Sequence, residues 1–479
     1  MKPSLSLLSV CLLLNACSQS IPRDGNDVAV PVSWQSTHSY ASNQQTRQHW
    51  WQQFGSPQLD RLITQAQADS YNLAAAMARV RQAQAGAVIA GAPRLPEVKF
   101  GGSGNREKLL RGKGYSQLDA TDTDKAVDYF DANLTASYEV DFWGGKAAAR
   151  DSAVLVLKAS EFDRATVELT LLSSVANSYV QTLALNEQLH IAHLNLSNAQ
   201  SVLHLVQTRY DAGSATALEL AQQKSLVANQ QRQLPLMAQQ VQDARITLAA
   251  LLGQPVQDLT LGDTSFAQLH SPSMGSGLPS ELLNRRPDIA SAEAKLAAAE
   301  ADIKVARAAM LPSLTLSASL GSGADSFNNI IRSPFYNLTA GLAAPIFNNG
   351  RLSAERNKAT ARQQELLQTY RTTIISAFAD VEKALNSVHG LDQQQRWQDE
   401  ELKQAQHAFD IAENRYKAGA EMLLTVLQTQ RTLYQAQDQN VQLRMTRLQA
   451  SIALYKALGG GWQTADALQE AAGANARSQ

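Results

Sequence analysis

One stretch of the sequence decides the fold. It spans residues 145–213 and reads GKAAARDSAVLVLKASEFDRATVELTLLSSVANSYVQTLALNEQLHIAHLNLSNAQSVLHLVQTRYDAG, with neither glycine nor proline between its two end glycines. Small or apolar side chains recur at alternating steps of four and three residues, the ~3.5-residue period of a coiled-coil seam. They are Ala165, Leu169, Leu172, Ala176, Tyr179 and Leu183. The stretch predicts one helix, which at about 1.5 Å per residue extends on the order of 100 Å.

The stretch occurs twice. The segment RYDAG at 209–213 is matched 206 residues later by RYKAG at 415–419, and a second seam precedes that copy. The seam runs through Ile374, Phe378, Val381, Leu385 and Val388. The chain is therefore predicted to be a duplication, with a first unit at 50–253, a second at 279–462, and a connector rich in Gly, Ser, Pro and Asp at 254–278.

Each unit also contains two segments of alternating polarity. Val98 and Phe100 begin the first, and the apolar positions of the other three follow. They are Leu134, Ala136, Tyr138, Val140 and Phe142; Leu314, Leu316, Ala318 and Leu320; and Leu338, Ala340, Leu342 and Ala344. Each unit thus supplies a hairpin of strands of about ten residues, the length of a tilted membrane-spanning strand. A small soluble sheet is the alternative.

Membrane strands bring a constraint on assembly. Four strands cannot close into a stable barrel, and an open sheet edge in hydrocarbon leaves unpaired backbone groups at a cost of several kcal/mol each. If the strands lie in a membrane, several chains must share one barrel, and three chains would supply twelve strands.

Shorter helices complete each unit. One helix is predicted from about Gln58 to Gly91, with the aromatic residues of 50–54 packed over its start, and another over 215–252 with a kink or break at Pro235. A polar loop is predicted at about 101–128 between the strands of the first hairpin.

The N-terminus predicts the compartment. Lys2 is followed by an apolar run from Leu5 to Leu14 and then by Asn15, Ala16 and Cys17. This is a signal peptide at 1–16, and its end resembles the lipobox of bacterial lipoproteins. That resemblance implies cleavage before Cys17, lipidation of its sulfur and acylation of its amino group. An ordinary signal peptide with a chance cysteine is the alternative. Residues 17–49 are predicted to be a tether and 463–479 a disordered tail.

Composition excludes several function classes. At 479 residues, 44% hydrophobic and a net charge of −1, the chain is no polybasic binder of nucleic acid or acidic lipid. No run long enough for a transmembrane helix exists outside the N-terminus. His190 and His193 share a helix face but lack a third ligand, so neither a metal site nor a cofactor is predicted. No nucleophile and base stand out, which predicts no enzymatic activity.

These motifs, taken in order, resemble the TolC/OprM family of outer-membrane efflux proteins, in its lipoprotein branch. They are Trp50-Trp51, Leu278-Pro279, RRPD at 285–288, PIFNNG at 345–350, the two RYxxG turns, and YKALGGG at 455–461. The resemblance implies a mainly α fold with membrane β structure: a homotrimer with a twelve-stranded outer-membrane β-barrel, continuous with a long periplasmic α-helical barrel. It implies the exit duct of a tripartite pump of the RND type, joined through a periplasmic adaptor to an inner-membrane transporter.

The resemblance also implies where partners dock. Residues Arg209, Tyr210, Gly213, Arg415, Tyr416 and Gly419 match the family's helix-hairpin tips, which contact adaptor hairpins. A purely structural turn is the alternative, because Gly permits a left-handed backbone while Arg and Tyr supply groups for hydrogen bonds between helices.

A constriction in the family lies just beyond each turn. TolC-like members often carry aspartates six and nine residues after the second turn's glycine, and this chain has Thr425 and Gln428 there. Glu219 occupies the six-residue position in the first unit. We therefore expect any acidic ring at the gate to come from Glu219, with Arg431 as its possible partner.

Three functions remain open at this point. The first is a passive, gated duct for broad drug efflux, and the second is a duct for one cargo class, such as a siderophore or a metal ion. The third is a structural lipoprotein that forms a periplasmic coiled coil without a pore.

Overall fold

The computed structural model describes residues 28–36, 49–108, 126–272 and 277–462. The predicted signal peptide, the predicted lipidation site Cys17, most of the predicted tether and the predicted tail lie outside the described residues. No helix in the described part of the chain combines the length and apolar character needed to cross a bilayer.

The two units contain their helices and strands in the same order. In the first, they are α1 (Pro57–Asp69), α2 (Tyr71–Gly91), β1 (Glu97–Lys108), β2 (Ala126–Val140), α3 (Gly145–Asp211) and α4 (Ala217–Leu251). In the second, they are α5 (Pro279–Arg285), α6 (Pro287–Ala308), β3 (Ser313–Ala324), β4 (Pro334–Ala343), α7 (Arg351–Lys417) and α8 (Leu423–Ala457). Helices α3 and α7 each have 67 residues, and α4 and α8 each have 35. The unit boundaries themselves stay a prediction.

Several element boundaries differ from the sequence prediction. The helix expected from Gln58 to Gly91 is two helices, because Ser70 between them has an extended backbone with ψ 119°. The side chain of Ser56 caps the first one by accepting a hydrogen bond from the Leu59 amide. Helix α4 continues through Pro235, which was expected to kink or interrupt it.

The strands extend into the segment predicted as a polar loop. Lys108 pairs with Ala126, so β1 and β2 continue through polar and glycine residues beyond the alternating pattern. A backbone ladder needs only N–H and C=O groups, so strand pairing can outlast the hydrophobic alternation. Phe142, expected on β2, lies past the end of that strand at Val140.

The four strands form one antiparallel sheet in the order β1-β2-β3-β4. Its register brings the apolar side chains of all strands to one face. One row is Phe100, Leu134, Leu320 and Tyr336, and the next is Val98, Ala136, Ala318 and Leu338. The opposite face carries Thr135, Ser137, Ser317, Ser319, Asn337 and Thr339.

The apolar face is open to the surroundings in a single chain. Phe100 is 78% exposed, Leu338 74% and Leu342 75%. A contiguous apolar surface of this kind needs a partner or a membrane. Further exposed apolar side chains lie at the corners between the strands and the long helices, as in the aromatic girdles of membrane barrels. They are Phe142, Trp143, Ile346 and Phe347.

The helices pack around α3 and α7. Helix α3 contacts α2, α4, α6 and α8, while α7 contacts α6 and α8. Their buried side chains form two separate hydrophobic clusters. The larger cluster holds the body together and includes Trp50, which is fully buried and stacks on Tyr455 at a ring distance of 5.0 Å. The smaller cluster lies between the far ends of α3, α4, α7 and α8.

Arg286 ties the second unit together at the start of α6. Its guanidinium contacts the Asp288 carboxylate at 2.7 Å, the Asp380 carboxylate on α7 at 3.2 Å and the carbonyl oxygen of Ala457 at the end of α8 at 3.2 Å. Burial alone would raise the pKa of Asp288, but the hydrogen bonds and charge of Arg286 hold it below its usual range. Neighbouring Arg285 makes a half-buried pair with Glu281 on the same short helix, at 3.1 Å.

We expect Arg286→Ala to lower the melting temperature of the purified protein clearly, because it leaves two carboxylates without their cation and removes the contacts of the α6 start with α7 and α8. The loss should be about 2 kcal/mol. Arg285→Ala is the matched control and should cost about 0.5 kcal/mol or less. The Asp288 contribution should be present above the usual aspartate pKa of about 3.9 and disappear as the pH falls through the lowered folded-state pKa. Equal effects of the two alanine variants would contradict this assignment.

Candidate functional site: the helix-hairpin tips

Both long helices end in the same turn. Gly213 and Gly419 have φ of 76° each, the left-handed conformation that glycine adopts without strain. In the first turn the Gly213 amide donates to the Tyr210 carbonyl at 2.9 Å, and in the second the Gly419 amide donates to the Tyr416 carbonyl at 3.0 Å. The RYxxG motifs are thus the points where each long helix reverses into its shorter partner.

The first tip continues into a capping box. The Thr216 hydroxyl accepts a hydrogen bond from the Glu219 amide at 3.2 Å, and the Glu219 carboxylate accepts one from the Thr216 amide at 2.6 Å. This reciprocal arrangement satisfies two amides that the start of a helix leaves free. The gate candidate Glu219 therefore has a structural task at the start of α4, and its side chain is half-buried.

At the second tip, a different residue accepts hydrogen bonds at the start of the helix. The residue before α8 is Met422, which has no capping oxygen. The Glu421 carboxylate instead accepts hydrogen bonds from the Met422 amide at 3.2 Å and from the Thr425 hydroxyl at 3.1 Å, and it pairs with Arg415 at 3.4 Å. Glu421 was not predicted, because the equivalent residue of the first unit is Ala215 and the repeat gave no signal for a charge there.

The two tips meet through an arginine and a tyrosine. The Arg209 guanidinium lies over the Tyr416 ring, 4.5 Å from its centre. A cation over an aromatic face gains about 0.5–2 kcal/mol, more when water is excluded. Tyr416 is only 2% exposed and belongs to the smaller hydrophobic cluster, whereas Tyr210 is 41% exposed. The structure thus brings together Arg209, Tyr416 and Gly419 of the six predicted tip residues.

Two buried hydrogen bonds in series connect α8 to α3 above the tips. The Gln430 amide donates to the Tyr434 hydroxyl at 2.7 Å, and this hydroxyl donates to the Asn195 carbonyl at 2.8 Å. Burial raises the pKa of Tyr434 well above its ordinary value, although the Gln430 hydrogen bond lowers it somewhat. The phenol therefore stays a neutral donor and fixes the spacing of the two helices.

The other gate candidates line open surface in a single chain. Gln428 and Arg431 are exposed, and Thr425 is half-buried beside Glu421. Arg431 lies in a polar groove between α3, α4 and α8, with a volume of about 970 Å³. Among the described residues, no ion pair joins Glu219 to Arg431. His190 and His193 belong to no group of three or more possible metal ligands (His, Cys, Asp or Glu) in the described ranges.

Known proteins are similar to this chain in sequence and in architecture. The sequence matches the outer membrane efflux protein family over residues 62–254 and 278–460. It is 61% identical to the pyoverdine export outer membrane protein OpmQ of Pseudomonas aeruginosa, over 96% of this chain and 97% of that protein. It is 30% identical to the cation efflux system protein CusC of Escherichia coli, over 95% of this chain and 99% of that one. The structure of the outer-membrane channel OprN superposes with a TM-score of 0.86 at 25% identity, over 91% and 98% of the two chains.

We expect two substitutions of Tyr416 to separate its ring from its hydroxyl. Tyr416→Ala should loosen the tip by about 3 kcal/mol, because it removes a buried ring that packs against Arg209. Tyr416→Phe should leave the tip as stable as before, since no described protein group bonds the buried hydroxyl. Hydrogen exchange of the amides at 405–430 measures both. Equal exchange in the alanine variant and the wild type would show that the tips are held together elsewhere.

Proposed function

Because this chain belongs to the outer membrane efflux protein family, we propose that it is the outer-membrane exit duct of a pump dedicated to exporting a siderophore of the pyoverdine class. The family and its structural relatives are outer-membrane channels that extend into the periplasm, and this chain is such a channel. The proposal concerns the cargo, the assembly and the gate.

The cargo proposal rests on the gradient of identity among relatives. Two proteins named for pyoverdine export are 61% and 60% identical to this chain over nearly its whole length. Relatives named for cation, solvent or antibiotic efflux are 29–30% identical. A duct for broad drug efflux is the alternative that this gradient disfavours.

The assembly proposal is a homotrimer anchored by lipid on Cys17. The open edges of β1 and β4 and the exposed apolar face of the sheet support it, because such edges must be paired in hydrocarbon. A structural coiled coil without a pore would have no use for that face. We further propose that the duct catalyses no reaction, and that a periplasmic adaptor and an inner-membrane transporter supply energy and most of the cargo selection.

A deletion strain tests the cargo. Without this protein, siderophore in the medium should fall several-fold and siderophore in the periplasm should rise, and the wild-type gene should restore both. Sensitivity to a panel of antibiotics and solvents should stay unchanged.

Measurements on the purified, reconstituted protein distinguish a failure of the cargo proposal from a failure of the duct proposal. The purified protein should run as a trimer in detergent and conduct ions in lipid bilayers. A conducting trimer whose loss changes only drug sensitivity would overturn the cargo proposal and keep the duct. A folded, non-conducting monomer would overturn the duct and favour the coiled-coil lipoprotein.

The gate proposal keeps Glu219 as the acidic residue of the constriction, with Thr425, Gln428 and Arg431 around it. Its capping role complicates the test, because Glu219→Ala removes both the charge and the cap. Glu219→Gln removes only the charge, since glutamine can complete the same capping box.

We expect both Glu219 variants to raise the resting single-channel conductance of the assembled protein, because each removes a negative charge from the proposed constriction. If only Glu219→Ala raises it, then helix capping rather than charge keeps the tip closed. Unchanged conductance in both variants would place the gate at other residues.

A further inference from the structure

The two units are related by a constant offset. Helices α3 and α7 begin and end 206 residues apart, and so do α4 and α8. The hairpin formed by α3 and α4 therefore has an equivalent hairpin in α7 and α8, residue by residue. A single chain contains one junction between these hairpins, where α3 contacts α8 and Arg209 covers Tyr416.

The equivalents of that residue pair do not meet within the chain. Adding the offset to Arg209 gives Arg415, and subtracting it from Tyr416 gives Tyr210. Tyr210 is 41% exposed, whereas its equivalent Tyr416 is 2% exposed. Two residues of the same motif, in equivalent turns, thus differ in burial, and the ring of Tyr210 is open to a cover from outside the chain.

Trp397, on α7 between the sheet and the tip, is also exposed where its equivalent in the other unit is packed. It is 78% exposed, although it lies on a helix far from the sheet. Its equivalent in α3 is Ile191, which packs against the larger hydrophobic cluster beside α8. An exposed tryptophan at the position of a packed isoleucine indicates a surface that another helix covers.

Polar residues across the same junction have compatible equivalents. Gln188 on α3 donates to Asp438 on α8 at 2.6 Å. The equivalent residues are Gln394 on α7 and Arg232 on α4, whose guanidinium can donate to the oxygen of the same amide.

Residues of opposite charge occupy the equivalent positions about two turns nearer the tips. Asn195 and Gln430 are joined through the Tyr434 hydroxyl, and their equivalents are Glu401 and Lys224. Both are exposed in the single chain and carry opposite charges.

We propose that the α7 face of one chain docks on the α4 face of a second copy, and that Arg415 covers Tyr210 of that copy. This inference rests on the proposed trimer and adds the residues that join its chains. The contact repeats the junction seen inside the chain, so the hairpins form a closed ring in which every RYxxG arginine lies over the tyrosine of the next hairpin. Arg415 then joins the tips between chains as Arg209 joins them within one.

Cysteine cross-linking tests the contact between copies. The chain has only Cys11, in the predicted signal peptide, and Cys17, the predicted lipid site, so introduced cysteines are the reactive ones. In the double variant Arg415→Cys and Tyr210→Cys, a short bismaleimide should link chains into dimers and trimers on a denaturing gel. The matched control is Arg209→Cys with Tyr416→Cys, in which the link should stay within one chain and leave monomers.

Two copies with different tags make the result specific. One copy carries Arg415→Cys and the other Tyr210→Cys, and linked dimers should contain both tags. A trimer whose cysteines react with a monofunctional maleimide but never link would overturn this contact and leave the proposed duct intact. A wild-type protein that stays monomeric would overturn both.

Hydroxyl-radical footprinting of the wild type needs no substitution. In the trimer, oxidation of Tyr210 and Trp397 should fall to the level of the buried Tyr416. If both stay as reactive as exposed side chains in a proven trimer, the proposed faces are wrong, whatever the cysteine variants do.

Discussion

A backbone amide left unpaired in hydrocarbon costs several kcal/mol, and this constraint underlies the rest of the molecule. The sheet of four strands has an apolar face and two open edges, β1 and β4, so a single chain is not a finished structure in a membrane. In the proposed trimer, pairing the edges of the copies would bring the helices attached to the strands into a ring. The offset that relates the two units would keep the spacing between hairpins uniform around that ring.

The helices divide into a fixed body and a separately packed tip. The larger hydrophobic cluster joins every long helix to the shorter helices beside it, and Arg286 clamps α6, α7 and α8 there. The tip has its own smaller cluster, and buried polar atoms of Gln223, Gln430 and Tyr416 have no protein partner within the described residues. A tip packed separately from the body suits the proposed gate, because its contacts can change while those of the larger cluster are kept.

The architecture could be predicted from the sequence because the patterns that indicate it are long and occur twice. Two seams over α3 and α7, two alternating hairpins and two RYxxG turns each predicted the same structure independently. What escaped prediction depends on single contacts: the break at Ser70, the extension of β1 to Lys108, and the cap formed by Glu421. Each is a local hydrogen-bonding solution that leaves no periodic trace. The Arg209 contact with Tyr416 joins residues far apart in sequence, so only the folded chain could show which arginine met which tyrosine.

Duplication also makes the divergence between the units informative. If both hairpins faced the same surroundings, equivalent residues would keep the same burial and the same chemistry. They do not. Ile191 is packed, whereas its equivalent Trp397 is exposed, and Asp438 carries a carboxylate where its equivalent Arg232 carries a guanidinium. Each change suits the proposed junction between copies, because such a junction would form only when folded copies meet. In the proposed junction, Trp397 and opposite charges would exclude water and align the copies, whereas the junction within the chain forms during folding and packs Ile191 at the equivalent position.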